Sequence, residues 1–593
     1  MAFNLPSAGN DVKTISEYTL LHLAFHLHES HQLARLFQLL IGSNRWLDAK
    51  FDRFGDDSLY VDELELALTS LVDPLTPEQI LKVVQLHAAR HLVHEREAHY
   101  EDKDLEILVL LGHREQAERH ARLRDADTKF YPGKYSGLMA ICRTLREIGV
   151  HDNQLLEEVR QVANQIRDDE KQQAAFSELA VEYAANGNLQ GARELVQSIL
   201  KDGPRTSALV SVAAILISAD KLEEAIPLIE AAQNIAASLS DPLEYTVAQT
   251  GIVTLMAKLG REAEGNRLFA FAQEKAVTIT NTRSRDAAFT HIAVALSTSV
   301  GYERVKDLAK QIEDPHYRFD AICQVAVMLS EKESTEECQV AIDDAHAILE
   351  TFLNDDWRDF RRMRFVATLA TCKRFSEAKN LVEEIKTPSL KQSALRHIAF
   401  ALAHKDLITE AEEIWKASNQ LIWGVPYNVN REATVYGIAL ALIEISDFQN
   451  ARIVTETIRD KQLQRIQFDE IETAEQNELM ETRNVEQLYT ELTSLEEIWL
   501  ELSAARGLAE DGDRFSRLRK VATKYAQIRQ FSSALSVPEI RLAYQYLQLI
   551  SEWASYFEQV EAGLFVKVIR ECTRIYSWLL PAWQDVNIIL GSP

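Results

Sequence analysis

At 593 residues and 46% apolar content, the chain is several times longer than one hydrophobic core supports, so it must either divide into domains or elongate as a solenoid. Its formal charge of -26 repels phosphate backbones and anionic lipid, which disfavours nucleic acid and membrane surfaces as partners. Met1 to Asp11 lacks a charged start followed by an apolar stretch, and no run of about eighteen apolar residues occurs, so neither export nor membrane insertion is expected and the reading is cytoplasmic.

Residues 1–73 open with Ser16-Glu17-Tyr18-Thr19-Leu20-Leu21-His22-Leu23-Ala24-Phe25-His26-Leu27, then Leu36, Leu39 and Leu40, then Arg45-Trp46-Leu47-Asp48-Ala49-Lys50, at helical spacing. This N-terminal helical segment resembles the helices that follow the nucleotide-binding and winged-helix modules of bacterial STAND ATPases of the apoptosome type, where a YLL-x-HL-x-x-HL helix precedes a W-L-x-x-K helix. The resemblance covers about fifty residues and implies a lead into a repeat array that senses a trigger. The chain departs from that family in having no G-x-x-x-x-G-K-[ST] loop; Tyr131-Pro132-Gly133-Lys134-Tyr135 lacks both the upstream glycine and the hydroxyl residue. A sensor or scaffold arm without its motor is implied, acting beside a separate protease, nuclease or ATPase. Residues 74–170 continue helical but irregular, through Leu105 to Leu111, the Ala117 turn, the Pro132-Gly133 break and Leu138 to Ile148, and are expected to be degenerate capping repeats.

From 171 to 460 one pattern returns eight times, anchored near residues 175, 208, 248, 288, 321, 361, 394 and 434, in steps of 33 or 40. Four places after the anchor stands a large apolar residue (Leu179, Val212, Ile252, Ile292, Val325, Phe365, Ile398, Ile438). Offset five is small or nearly so, offset eight is Leu, Met or Tyr, and offset seventeen is mostly small (Ala192, Ala225, Gly265, Val305, Cys338, Ala378, Ala411, Ala451). The first three build a buried helical stripe, and the fourth lets an antiparallel second helix approach closely. Large, small, large and small at these spacings resembles the tetratricopeptide repeat, although that family's early Trp and terminal Pro are missing from most units and Arg361 replaces the Ala or Thr of the other anchors. The fold class implied is all-α, a right-handed solenoid of helical hairpins with an N-terminal helical cap and a C-terminal bundle. Because 40 and 33 differ by seven residues, nearly two α-helical turns, the longer units are expected to extend their second helices. The short units place Ile199, Ile312 and Ile385 at offset twenty-four and Pro204, Pro315 and Pro388 soon after, where the helix is expected to stop.

Past the eighth unit the register places a ninth first helix near residue 467, but Glu472 falls in the small apolar slot, so the repeat is expected to end. Residues 461–495 read as an acidic linker, in which Glu478, Met480 and Glu481 mark a possible cleavage or docking segment. Residues 496–593, weighted by Trp553, Trp578 and Trp583, read as a C-terminal helical bundle.

No catalytic, cofactor-binding or metal-binding residue is assigned. His22 and His26 share a helical face but lack a third ligand, and the nearby His28-Glu29-Ser30-His31 is one residue off zinc-protease spacing. The five cysteines, Cys142, Cys323, Cys338, Cys372 and Cys572, form no CxxC pair, and three lie within repeat helices, so buried thiols without disulfides are expected. The function expected is a non-enzymatic protein-protein interaction scaffold or regulatory subunit, by resemblance in bacterial signalling or antiviral defence. Glu178, Glu182, Arg361, Arg364, Arg396 and His397 are the expected partner-facing residues of the first helices. Alternatives are an inhibitor that holds an effector until the acidic segment is cut, and a helical-repeat RNA binder.

Overall fold

The computed structural model describes residues 15–97, 100–124, 133–297, 301–352, 354–422, 428–480, 498, 501, 502, 505, 511–537, 543–580, 583 and 586. Among the described residues regular structure is helical throughout, with no strand. The chain forms two compact units, one of Met1–Tyr100, Thr128–Tyr131 and Pro426–Pro593, the other of Glu101–Asp127 and Pro132–Val425. The array read over 171–460 is thus shared out, seven hairpins to one unit and the eighth to the other.

The first unit begins with α1 (Glu17–Glu29), α2 (Leu33–Ile41), α3 (Arg45–Phe54), α4 (Ser58–Leu68) and α5 (Pro77–Glu97). Trp46 and Lys50 of the W-L-x-x-K segment are both buried, and both serve Glu63: Trp46 Nε1 donates to it at 2.7 Å and Lys50 Nζ lies 3.0 Å away. Lys50 also donates to the Leu20 carbonyl at 2.6 Å, tying α3 to α1. Helix α5 packs against the helices Phe531–Ser536, Ala543–Glu552 and Leu564–Tyr576, burying His87 and His91, whose rings lie 6.4 Å apart, with Tyr546 4.6 Å from His91. The eighth repeat forms here as α24 (Asn428–Glu444) and α25 (Phe448–Glu456), and α26 (Lys461–Met480) packs on both. A further first helix therefore does form: Ile471 fills its offset-four slot, fully buried, while Glu472 stays exposed. The segment expected as a linker begins as this helix, with Tyr436 Oη donating to Glu470 at 2.8 Å.

The second unit is a succession of hairpins: α6 (Asp102–Leu110) with α7 (Arg114–Leu123), α8 (Lys134–Glu147) with α9 (Asn153–Asn164), α10 (Asp169–Ala185) with α11 (Leu189–Ser198), α12 (Asp202–Ser218) with α13 (Leu222–Ser238), and α14 (Pro242–Lys258) with α15 (Glu262–Val277). They continue as α16 (Thr282–Leu296) with α17 (Tyr302–Ala309), α18 (Pro315–Glu331) with α19 (Thr335–Leu349), α20 (Asp355–Thr371) with α21 (Phe375–Glu383), and α22 (Pro388–Ala403) with α23 (Ile408–Ile422). Each helix begins afresh with its counted unit, and one backbone position shows why. Gly187, Asp220, Gly260, Glu333, Lys373 and Asp406, all twelve places after their anchors, adopt positive φ. The next residue's N–H then reaches back to the offset-eight carbonyl, as in Asn188 to Tyr183 at 2.8 Å and Arg374 to Leu369 at 2.8 Å, which ends each first helix with a Schellman turn. Gly112 and Gly149 do the same for α6 and α8.

The two step lengths appear as expected. Second helices of the 33-residue units (α11, α17, α21) stop within three turns, whereas those of the 40-residue units (α13, α15, α19, α23) run on. Offset twenty-four is buried in both kinds: Ile199, Ile312 and Ile385 where the chain turns, Ala232, Ala272, Ala345 and Ser418 where the helix continues. The early turn leaves backbone N–H groups without helical partners, and a side chain two places before the anchor accepts them. Gln173 takes Leu200 N at 2.6 Å, Asp286 takes Asp314 N at 2.8 Å, and Asp359 takes Lys386 N at 2.8 Å and Thr387 N at 2.9 Å. The prolines act otherwise than expected. Pro315 and Pro388 are first residues of the following helices, where a missing N–H costs nothing, and the second helices have already ended.

Each first helix packs on the next from α6 through α22, and α22 packs on α6. Where capping repeats would shield an open end, the series in this unit returns on itself, forming a ring of nine hairpins among the described residues.

Candidate binding surface

First helices line the inside of the ring, and the left-handed turn gives a common register for what faces inward. Nine residues before it stand Lys103, Ala140, Glu178, Ser211, Gly251, Gln324, Arg364 and His397, with His291 at the corresponding place of α16. Glu178, His291, Gln324 and Arg364 are exposed, and Lys103, Ser211, Gly251 and His397 are half-buried; Ala140 alone is buried. Burial nevertheless raises the Glu178 carboxyl, an effect opposed by Arg143, and pushes His397 down to about 4, helped by Lys103, Arg364 and Arg396. These belt residues form the inner wall of the ring.

The wall has two sectors. Across α12, α14, α16 and α18 runs a cleft of about 590 Å³, lined by half-exposed Val210, Val247, Val294 and Met328, with Ser211 and His291 among its polar groups. Small residues make the cleft. At Gly251 a Cβ would stand 2.9 Å from Val210 Cγ1, so only glycine permits α14 to approach α12 this closely there. The remaining sector, α20, α22, α6, α8 and α10, carries Arg364, His397, Lys103, Arg143 and Glu178.

The six expected partner-facing residues separate by register. Glu178, Arg364 and His397 lie on the inward belt. Glu182, Arg361 and Arg396, expected exposed, are buried, and the correction has one cause: each pairs with a charge on a neighbouring first helix. Glu182 accepts from Arg146 Nε at 2.9 Å; Arg361 lies 2.7 Å from Asp320 and donates to His316 Nδ1 at 3.0 Å. Arg396 carries the closing seam, where its guanidinium meets Asp104 at 2.9 Å and Glu101 at 2.7 Å and Trp415 Nε1 donates to Asp104 at 2.8 Å. Outside this buried knot, Lys103 Nζ sits 3.6 Å from the Phe400 ring centroid and His404 Nε2 lies 3.3 Å from Glu147. Glu478 and Met480 belong to α26 but their side chains, like the whole of Glu481, lie outside the described residues.

No thiol is poised for chemistry. All five cysteines are free and buried, and burial pushes Cys142, Cys323 and Cys372 up to about 12 and Cys338 and Cys572 upward. Among the described residues no group of three or more His, Cys, Asp or Glu is arranged to hold a metal, and no helix is long and apolar enough to cross a membrane.

No family model matches the chain, and no curated protein matches it. Among solved structures, Ton1535 from Thermococcus onnurineus NA1 is 16% identical, with 62% of this chain and 98% of that chain covered, at a TM-score of 0.23.

Proposed function

We propose that this chain is a non-enzymatic binding protein whose ring of hairpins takes a segment of another protein against its inner wall. The observation that supports the reading is the 590 Å³ cleft on α12, α14, α16 and α18, where four half-exposed apolar side chains share one face with small and hydroxyl residues. Such a surface offers apolar area and hydrogen bonds without a reactive group. Thiols pushed up by burial and a net charge of -26 accord with binding of protein rather than catalysis by cysteine or capture of nucleic acid. In this reading the chain serves as a scaffold or regulatory subunit in the cytoplasm, and the resemblance of its first helices to STAND sensor arms suggests signalling or antiviral defence as its setting. Site-specific photo-cross-linking in the native host tests it. A benzoylphenylalanine at Ser211 is expected to yield a discrete protein adduct that disappears in Val247→Arg, and the same group at outward Glu230 is expected to yield none. Equal adducts from both positions, or none from Ser211, would contradict it.

A further inference from the structure

The number of hairpins in the ring and the lining of its wall together specify the shape of what the ring holds. Helices pack with axes ~8–10 Å apart, so nine first helices side by side place their axes on a circle of radius about 12–15 Å. Removing the half-width of those helices leaves a channel on the order of 12–18 Å across, and one α-helix with its side chains is ~10–12 Å in diameter. The channel therefore admits one helix and excludes a hairpin of two.

The lining supplies the chemistry. An extended strand could also turn one face to each sector, but it is only ~5 Å thick in its hydrogen-bonding direction and would leave its backbone N–H and C=O groups without partners along a wall of helices. A helix pairs its own backbone groups, matches the channel in width and, with apolar residues three and four apart, presents one continuous stripe and a separate polar face. The wall is divided in that way: Val210, Val247, Val294 and Met328 occupy the α12–α18 side, and Arg364, His397, Lys103, Arg143 and Glu178 occupy the other. Resting on the reading of the ring as a protein-binding site, we infer that its occupant is a single amphipathic α-helix, its apolar stripe on the α12–α18 cleft and its polar face toward Arg364, Lys103 and Arg143. The buried seam of Asp104 and Arg396 closes the side of the ring, so the helix enters along the channel axis and belongs at a chain terminus of the partner.

Selection from a random 20-residue peptide library displayed on its own message, against the immobilised full chain, tests the inference. The expected binders carry apolar residues at i, i+3, i+4 and i+7, weaken at least tenfold when a central residue becomes proline, and weaken at least tenfold against Val247→Arg. Binders that fail against Val247→Arg but tolerate the central proline would overturn the helical occupant while leaving the binding site in place. Binders indifferent to Val247→Arg, or none at all, would overturn both. Because Val247→Arg alters a half-exposed side chain, circular dichroism and thermal unfolding of the variant establish that the ring remains folded.

Discussion

The seams between neighbouring hairpins are of two kinds. From α10 through α22 each is built on a large apolar residue at offset four, such as Ile292, to which the α18–α20 seam adds the pair Arg361 and Asp320. The closing seam between α6 and α22 instead buries Asp104 in the slot that Leu179, Val212 or Ile398 fills elsewhere, and meets it with Arg396 and Trp415. Apolar seams are adhesive but interchangeable, and any hairpin end could stack on a copy of itself. A buried carboxylate accepts only a partner that neutralises it, so the polar seam pairs the first hairpin with the last. The difference suggests how a repeat array avoids open-ended growth: the apolar offset-four slot is repeated, and the seam where it holds a carboxylate is the one that closes the ring.

The largest expected effect breaks the closing seam. Asp104→Ala leaves the Arg396 guanidinium buried without its principal counter-charge and should cost about 3–5 kcal/mol, read as a lower urea midpoint and as faster amide exchange in α6, α22 and α23. Asp104→Leu combined with Arg396→Leu should recover most of that stability while allowing chains to associate end to end, seen as concentration-dependent mass in solution. Within a hairpin the cost is smaller: Ala411→Leu overfills the fully buried slot where α23 approaches α22 and should cost about 1–3 kcal/mol, without any gain in association.

The eight hairpins over 171–460 could be read from the chain because each packing slot demands a side-chain size, and size survives when identity does not. The ring could not. The α8 to α9 turn runs from Gly149 to Asn153, two residues longer than that from Gly187 to Leu189, and this shift hides the second-helix slots from any comparison at fixed offset. In α6 the slot that should hold a large apolar residue holds Asp104, which reads as a defect until its partner 292 residues away is known. The same lack of long-range information blurred the candidate site. Glu182, Arg361 and Arg396 flank the buried stripe as Glu178, Arg364 and His397 do, and only the neighbouring helix decides which of them are neutralised and buried.

Buried histidines sharpen the contrast between the units. Burial lowers His87 to about 3 and holds His91 well below its ordinary range, so both are neutral in the folded state, while the unfolded chain takes up protons below its ordinary value near 6.5. The unfolded state then binds more protons, and stability falls as pH falls from about 6.5 toward 3, by about 1.4 kcal/mol per pH unit for each histidine. Amide exchange in α5 should accelerate through this window and be flattened by His87→Leu. The smallest effect is expected at Arg364, an exposed belt residue 3.5 Å from Asp320, where Arg364→Ala should change stability by no more than about 1 kcal/mol, in contrast to Asp104→Ala.

Closure itself is tested most directly by a photo-reactive benzoylphenylalanine in place of Lys103, whose side chain lies against Phe400. In an equal mixture of isotopically light and heavy chains, digestion should yield linked peptides joining residue 103 to the α22 sequence around Phe400, light to light and heavy to heavy. Links confined to the neighbouring hairpin α8, or links to α22 that mix the isotopes, would contradict a ring closed within one chain.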